Sequence, residues 1–318
     1  MPFTLSHAAA VLPAVRRTGR ARGPLVACAL VAGSFAPDTF YFLDALVEGV
    51  MPWGGFTHSP LGVVTVDAVL TAGLVLCWLL LREPLAALLP RAWRGRVYAF
   101  LRGEEWRRER RPAALALWFY VSAVAGSLTH VVWDSFTHLD RYGTRALPWL
   151  SDLRYGGFPL YTYLQYGSSF LAATVLVWFT VTGLRRTPAS PLPATVPVLG
   201  RAELWGAAVL VAVCVGAGVT MRVVRFYTFF DRIRTPLDII PTVCFGAGGG
   251  LMAGLVLYGA AVRLRHRRPR SGGDGDHGSD HGGGDGYGTE TGAGLRDSDG
   301  DSRADREGGL PRTPAATG

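Results

Sequence analysis

The chain has 318 residues, 49% of them apolar, and a formal net charge of +8. Its basic residues are all arginine and gather beside apolar stretches, so the charge marks membrane topology and argues against a nucleic-acid partner. Those stretches approach the ~20 residues that cross a bilayer. An ordinary soluble core is thereby excluded, and an all-α, polytopic transmembrane helical bundle of about six to seven apolar helices is expected.

In chain order, apolar segments are read at 5–15, 24–37, 60–81, 113–133, 167–184, 204–221 and 237–262. The first two would cover only about half to two-thirds of the hydrocarbon at ~1.5 Å per residue. They are expected to fold as a shallow hairpin, unless the second continues to Val47 and spans. The stretch Met1 to His7 lacks the charged region that opens a cleavable signal peptide, so insertion is expected to rest on these segments themselves.

Arginines alternate with the segments. Arg16, Arg17, Arg20 and Arg22 lie in one connection, and nine arginines lie within 82–112. Arg185, Arg186 and Arg201 mark a third, and Arg263, Arg265, Arg267, Arg268 and Arg270 follow the last helix. By the positive-inside rule these four face the cytoplasm, and 38–59, 134–166 and 222–236 face outward. Arg222, Arg225, Arg232 and Arg234 are an exception in the last of these. Trp53, Trp149, Tyr155, Tyr161, Tyr163 and Tyr166 lie in the outer connections and suit an interfacial aromatic belt.

Cys28, Cys77, Cys214 and Cys244 all sit in apolar stretches without a CxxC pair and read as small buried hydrophobes. The integral membrane domain is placed at 1–262. Residues 263–318 are read as a disordered, Gly/Asp/Arg-rich cytoplasmic tail, with His277 and His281 part of its solvated surface.

The informative residues are ionisable groups at the ends of apolar segments, where a charge near lipid is costly and usually faces a protein interior. His130, Asp134 and His138 are spaced i, i+4, i+8, along one face of a continuous helix. His7 opens the first short segment, Asp38 follows Pro37 after the second, and His58 precedes the third. Two hairpins, each turning at a cytoplasmic Arg cluster, would bring His7 to Asp38 and His58 to Asp134. All four side chains then converge near the outer membrane face, with the N-terminus outside; the simpler alternative keeps residues 1–23 inside and puts His7 across the membrane from the others. Imidazole and carboxylate together suit Zn²⁺ or Mn²⁺. The expected metal ligands are therefore His7, Asp38, His58 and Asp134, with His130 or His138 positioning water or acting as general base. Ser6 and Ser59 fit helix N-caps. Asp67, inside the third segment, is read either as a functional candidate, as an intramembrane acid is by default, or as hydrogen-bonded to Thr65 or Thr71.

Met1-Pro-Phe-Thr-Leu-Ser-His7, Gly33-Ser-Phe-Ala-Pro-Asp38, Thr57-His58-Ser59 and His130-Val-Val-Trp-Asp134-Ser-Phe-Thr-His138 together resemble a family of uncharacterised bacterial multi-pass membrane proteins, over most of residues 1–262. That family is named only as a domain of unknown function. More remotely, the order of an early His, a Pro-Asp, a Thr-His-Ser and a His-x3-Asp resembles the membrane-bound metal-dependent hydrolases. The resemblance implies that His7, Asp38, His58, His130 and Asp134 are ligands or catalytic groups. Pro37-Asp38 is followed by Thr39 and not extended to Pro-Asp-x-Asp, which counts against a two-metal site.

Two functions from different classes follow. One is a multi-pass enzyme of the cell membrane that hydrolyses a lipid or lipid-linked ester with a divalent metal. The other is a transporter or a non-catalytic membrane scaffold. A path would need polar groups through the bundle, whereas the polar groups here gather at one level. No Walker motif or dinucleotide fingerprint is present.

Overall fold

A computed structural model describes residues 4–102, 110–229, 233 and 236–266. All but a few residues of the expected tail, 267–318, lie outside the described residues. The described residues are mainly helical, and the two strands among them form one short hairpin, β1 (Arg154–Tyr155) with β2 (Phe158–Pro159).

Among the described residues, five helices are long and apolar enough to cross a membrane: α6 (Val66–Leu88), α8 (Pro112–Thr137), α11 (Leu160–Arg186), α12 (Arg201–Phe229) and α13 (Pro236–His266). Shorter helices precede them, α1 (Ala8–Val11), α2 (Ala27–Gly33), α3 (Thr39–Leu43), α4 (Trp53–Thr57) and α5 (Pro60–Val64), or lie between them, α7 (Arg91–Arg102), α9 (Tyr142–Ala146) and α10 (Trp149–Asp152). The long helices turn large apolar side chains outward, Phe170, Val69 and Trp205 among them, and bury Asp67, Thr71, Ser122, Ser127, His130 and Asp134. That arrangement suits lipid and marks a multi-pass membrane protein.

The second apolar segment does not continue to Val47 as one helix. It stops at Gly33, makes a 3-10 turn over Ala36–Asp38 and restarts as α3. Pro37 cannot donate the backbone hydrogen bond that a continuous helix needs. The first two segments form the expected hairpin. Its turn is closed by Arg16 N–H donating to Arg20 O (2.7 Å) and Arg22 N–H to Ala14 O (2.8 Å). Val11, Val15 and Leu30 pack between its arms. The third segment breaks in two at Thr65, whose hydroxyl donates back to Leu61 O at 2.6 Å.

The hairpin is seated on α8 at small residues. A methyl group at Gly126 would stand 2.9 Å from Ser34 N and 3.0 Å from Gly33 C, so the two backbones nearly touch there. Side chains of α8 satisfy the orphan backbone groups of α2 at both ends. Ser122 Oγ accepts from Val26 N at 2.9 Å, and Ser127 Oγ donates to Gly33 O at 3.0 Å. The run Gly246–Gly250 is likewise packing: methyls at Gly246 and Gly250 would meet Val219 Cα (2.9 Å) and Val215 Cα (2.8 Å) of α12. At the Arg-rich end, Pro84 within α6 cannot donate to Leu80 O, and Arg263 Nε does so at 2.6 Å.

Candidate metal centre

Three residues, Thr57-His58-Ser59, fix one corner of the site. Thr57 Oγ1 donates to Pro37 O at 2.7 Å, which ties α4 to the turn holding Asp38. Ser59 caps α5, its Oγ accepting from Gly62 N at 3.1 Å. Between them His58 ends α4 and turns its ring inward. His130 and Asp134 lie one turn apart on α8, at the end remote from residues 82–112.

The structure brings all six expected side chains together. His7, Asp38, His58, His130 and Asp134 are buried, and the side chain of His138 is 23% exposed. His58 Nε2 lies 3.6 Å from Asp38 Oδ1 and 3.5 Å from Asp134 Oδ2. His130 Nε2 lies 3.5 Å and 3.4 Å from the same two oxygens. One ligand atom from each of these four residues falls within 4.8 Å of every other, a grouping that can hold a metal ion.

The hydrogen bonds behind the rings decide what faces inward. His58 Nδ1 lies 2.7 Å from Gly54 O, and His130 Nδ1 lies 2.8 Å from Ser34 O. A carbonyl only accepts, so both Nδ1 atoms carry hydrogen and both Nε2 atoms of the neutral rings present lone pairs. Four lone-pair atoms therefore face one another. Asp38 Oδ1, His58 Nε2 and His130 Nε2 have no hydrogen-bond partner among the described residues. Protonating a ring does not resolve this, because 3.4–3.6 Å is well beyond the ~2.7–2.9 Å of a charge-assisted bond. Each buried unsatisfied group costs about 1–3 kcal/mol, and more when charged. A cation at the centre removes that cost. Tetrahedral coordination with ~2.0–2.1 Å bonds spaces its ligands about 3.3–3.4 Å apart, close to the four imidazole–carboxylate separations. An octahedral ion with the same bonds would require about 2.9 Å.

His7 and His138 flank this group. His7 Nε2 lies 3.1 Å from Asp134 Oδ1 and its Nδ1 lies 3.2 Å from Thr4 O, so a proton on either nitrogen finds an acceptor. Its ring stacks on that of His130 with centroids 3.8 Å apart. Thr4 Oγ1 donates to Asp38 Oδ2. The sequence reading set His7 among the ligands and His130 outside them; in the structure it is His130 that faces both carboxylates. His138 does not continue the helix. It follows Thr137 in extended conformation (φ −133°, ψ 144°), with Nδ1 3.5 Å from Asp134 Oδ1 and Nε2 3.0 Å from Gln165 Nε2. Burial pushes the His138 imidazole down to about 4, against the pull of Asp134.

Thr4, Gly54, Ser34 and Gln165 escaped the sequence reading. Thr4 carried a signal, three residues before His7 in the opening motif. The carbonyls of Gly54 and Ser34 carried none, because every residue has one. Asp67 is fully buried, and neither carboxylate oxygen has a hydrogen-bond partner. The expected bond to Thr71 exists but goes to the backbone: Thr71 Oγ1 donates to Asp67 O at 2.7 Å.

A family model described as a domain of unknown function, DUF4184, matches residues 1–260. No curated protein and no solved structure matches the chain.

Proposed function

The chain belongs to this family of unknown function, and from the chemistry of its buried cluster we propose a membrane-embedded hydrolase that uses one divalent cation, zinc or manganese. The supporting observation is the set of inward-facing lone pairs on Asp38, His58, His130 and Asp134, unpartnered at three of the four residues. These four residues would hold the cation. Backbone carbonyls behind both imidazoles and Thr4 behind Asp38 supply the supporting shell that such ligands need.

A cation held there lowers the pKa of a bound water and polarises an ester oxygen. His138 is the part-exposed member of the group and is placed to take the water's proton. His7, between Thr4 O and Asp134, is placed to carry a proton to the leaving alcohol. The attacking water oxygen joins the acyl or phosphoryl centre as the ester bond to the alcohol breaks. The cluster lies at the end of α6 and α8 opposite the Arg-rich connections, which puts it at the outer face by the positive-inside rule. A lipid or lipid-linked ester is the substrate that reaches such a site.

Metal analysis of the purified protein tests this reading. After exposure to Zn²⁺ or Mn²⁺ and desalting, one ion per chain is expected, and Asp134→Ala or His58→Ala should lose it. Wild-type protein that stays metal-free under both ions ends the proposal. A transporter would need a polar path through the bundle, which no observation here favours.

A further inference from the structure

We propose that the mouth of the His/Asp cluster is a phosphoryl-binding subsite in which Arg141 grips the anion, an inference that rests on the metal reading above and names its substrate class as a phosphate ester.

Arg141 stands three residues after His138, beyond a left-handed turn at Asp140 (φ 58°). Thr144 locks that turn: its hydroxyl donates to His138 O at 2.8 Å and accepts from Arg141 N at 3.2 Å. The guanidinium is half-buried and donates from Nη2 to Tyr41 OH at 3.3 Å. The Tyr41 ring in turn lies 5.8 Å from that of His58. Arg141 is thus anchored on Tyr41, whose ring neighbours that of His58, and follows the part-exposed His138 by three residues.

Some arginines of this chain spend their charge on carboxylates. Arg82 and Arg263 pair with Glu83, Arg222 and Arg225 with Asp44, and Arg265 with Glu203. Among the described residues no carboxylate pairs with Arg141. A guanidinium offers five N–H donors in a fixed fork that matches the oxygens of a phosphate. A neutral carboxylic ester gives such a group nothing to bind. A phosphoryl group gives it charged oxygens that a metal ion alone would leave partly uncompensated.

The test is calorimetric titration of zinc-loaded protein with inorganic phosphate, with zinc content measured on every sample. Arg141→Ala and Arg141→Gln are expected to keep the zinc and weaken phosphate binding about ten- to a hundredfold. Arg141→Lys should also weaken it, because an ammonium cannot form the fork. Zinc-loaded wild type that does not bind phosphate, or variants that bind it as wild type does, overturn the subsite and leave the metal reading standing. Wild type without zinc overturns both. Nanodiscs carrying phosphatidic acid, but not phosphatidylcholine alone, should displace the phosphate if the natural group is lipid-borne. Failure of both kinds of nanodisc to displace it overturns the lipid source and assigns the phosphate to a soluble ester.

Discussion

Around Asp44 each carboxylate oxygen meets donors; around Asp134 and Asp38 lone pairs face lone pairs. Asp44 Oδ2 pairs with Arg222 and lies 3.6 Å from Arg225, and Oδ1 accepts from Gly49 N and Met51 N at 3.1 Å each. Six residues earlier, Asp38 Oδ1 is as deeply buried and has no hydrogen-bond partner. The first arrangement explains arginines that the positive-inside rule does not: Arg222 and Arg225 clamp α12 to the segment after α3. The second leaves its lone pairs unmatched, in a grouping that could hold a metal ion. Burial alone does not mark a functional site; burial with converging, unspent lone pairs does.

The largest expected contrast lies in what removing a carboxylate does. Asp44→Ala leaves Arg222 buried and uncompensated, and should cost about 3–5 kcal/mol in a denaturation experiment. Asp38→Asn removes a repulsion in the metal-free protein, so its midpoint should hold or rise, while its zinc uptake is lost. Equal destabilisation by both would erase the distinction between clamp and site.

A smaller effect is expected at the α2–α8 crossing. Gly126→Val forces the two backbones apart, and His130 is oriented by Ser34 across that gap. Zinc affinity should fall by about ten- to a hundredfold, measured by competition with a chelator, while the five spans still form. Retained affinity would show that His130 is aimed by something else.

Protons should separate the clusters too. His58 and His130 must be neutral to bind metal, so protons compete with the cation. Zinc retention should therefore decline on acidification. The smallest effect concerns Asp67, which neither cluster uses. Asp67→Asn replaces a buried group of acidic character by a neutral one of the same shape, and should raise the melting temperature slightly without changing zinc content.

Much of this was legible in the sequence because polar residues in apolar segments are costly enough to stand out. His7, Asp38, His58 and Asp134 could be grouped from hairpins alone, since an antiparallel pair returns its far end to the start. The choice between His7 and His130 could not be read. Both lie within reach of Asp134, and the difference depends on how α8 is rotated against α2 at Gly126. The end of the helix at Thr137 was equally hidden, because Ser135-Phe136-Thr137-His138 has no proline or glycine to stop it. Arg141 was invisible for a different reason: its significance is its contact with Tyr41, a hundred positions away in the chain, which only three dimensions reveal.

Zinc K-edge X-ray absorption on the loaded wild-type protein probes the four converging atoms directly. The account predicts a light-atom shell of about four at ~2.0–2.1 Å, with the outer scattering of two imidazoles and no sulfur. A sulfur-containing shell, a single imidazole, or a six-oxygen environment would place the ion elsewhere and contradict it.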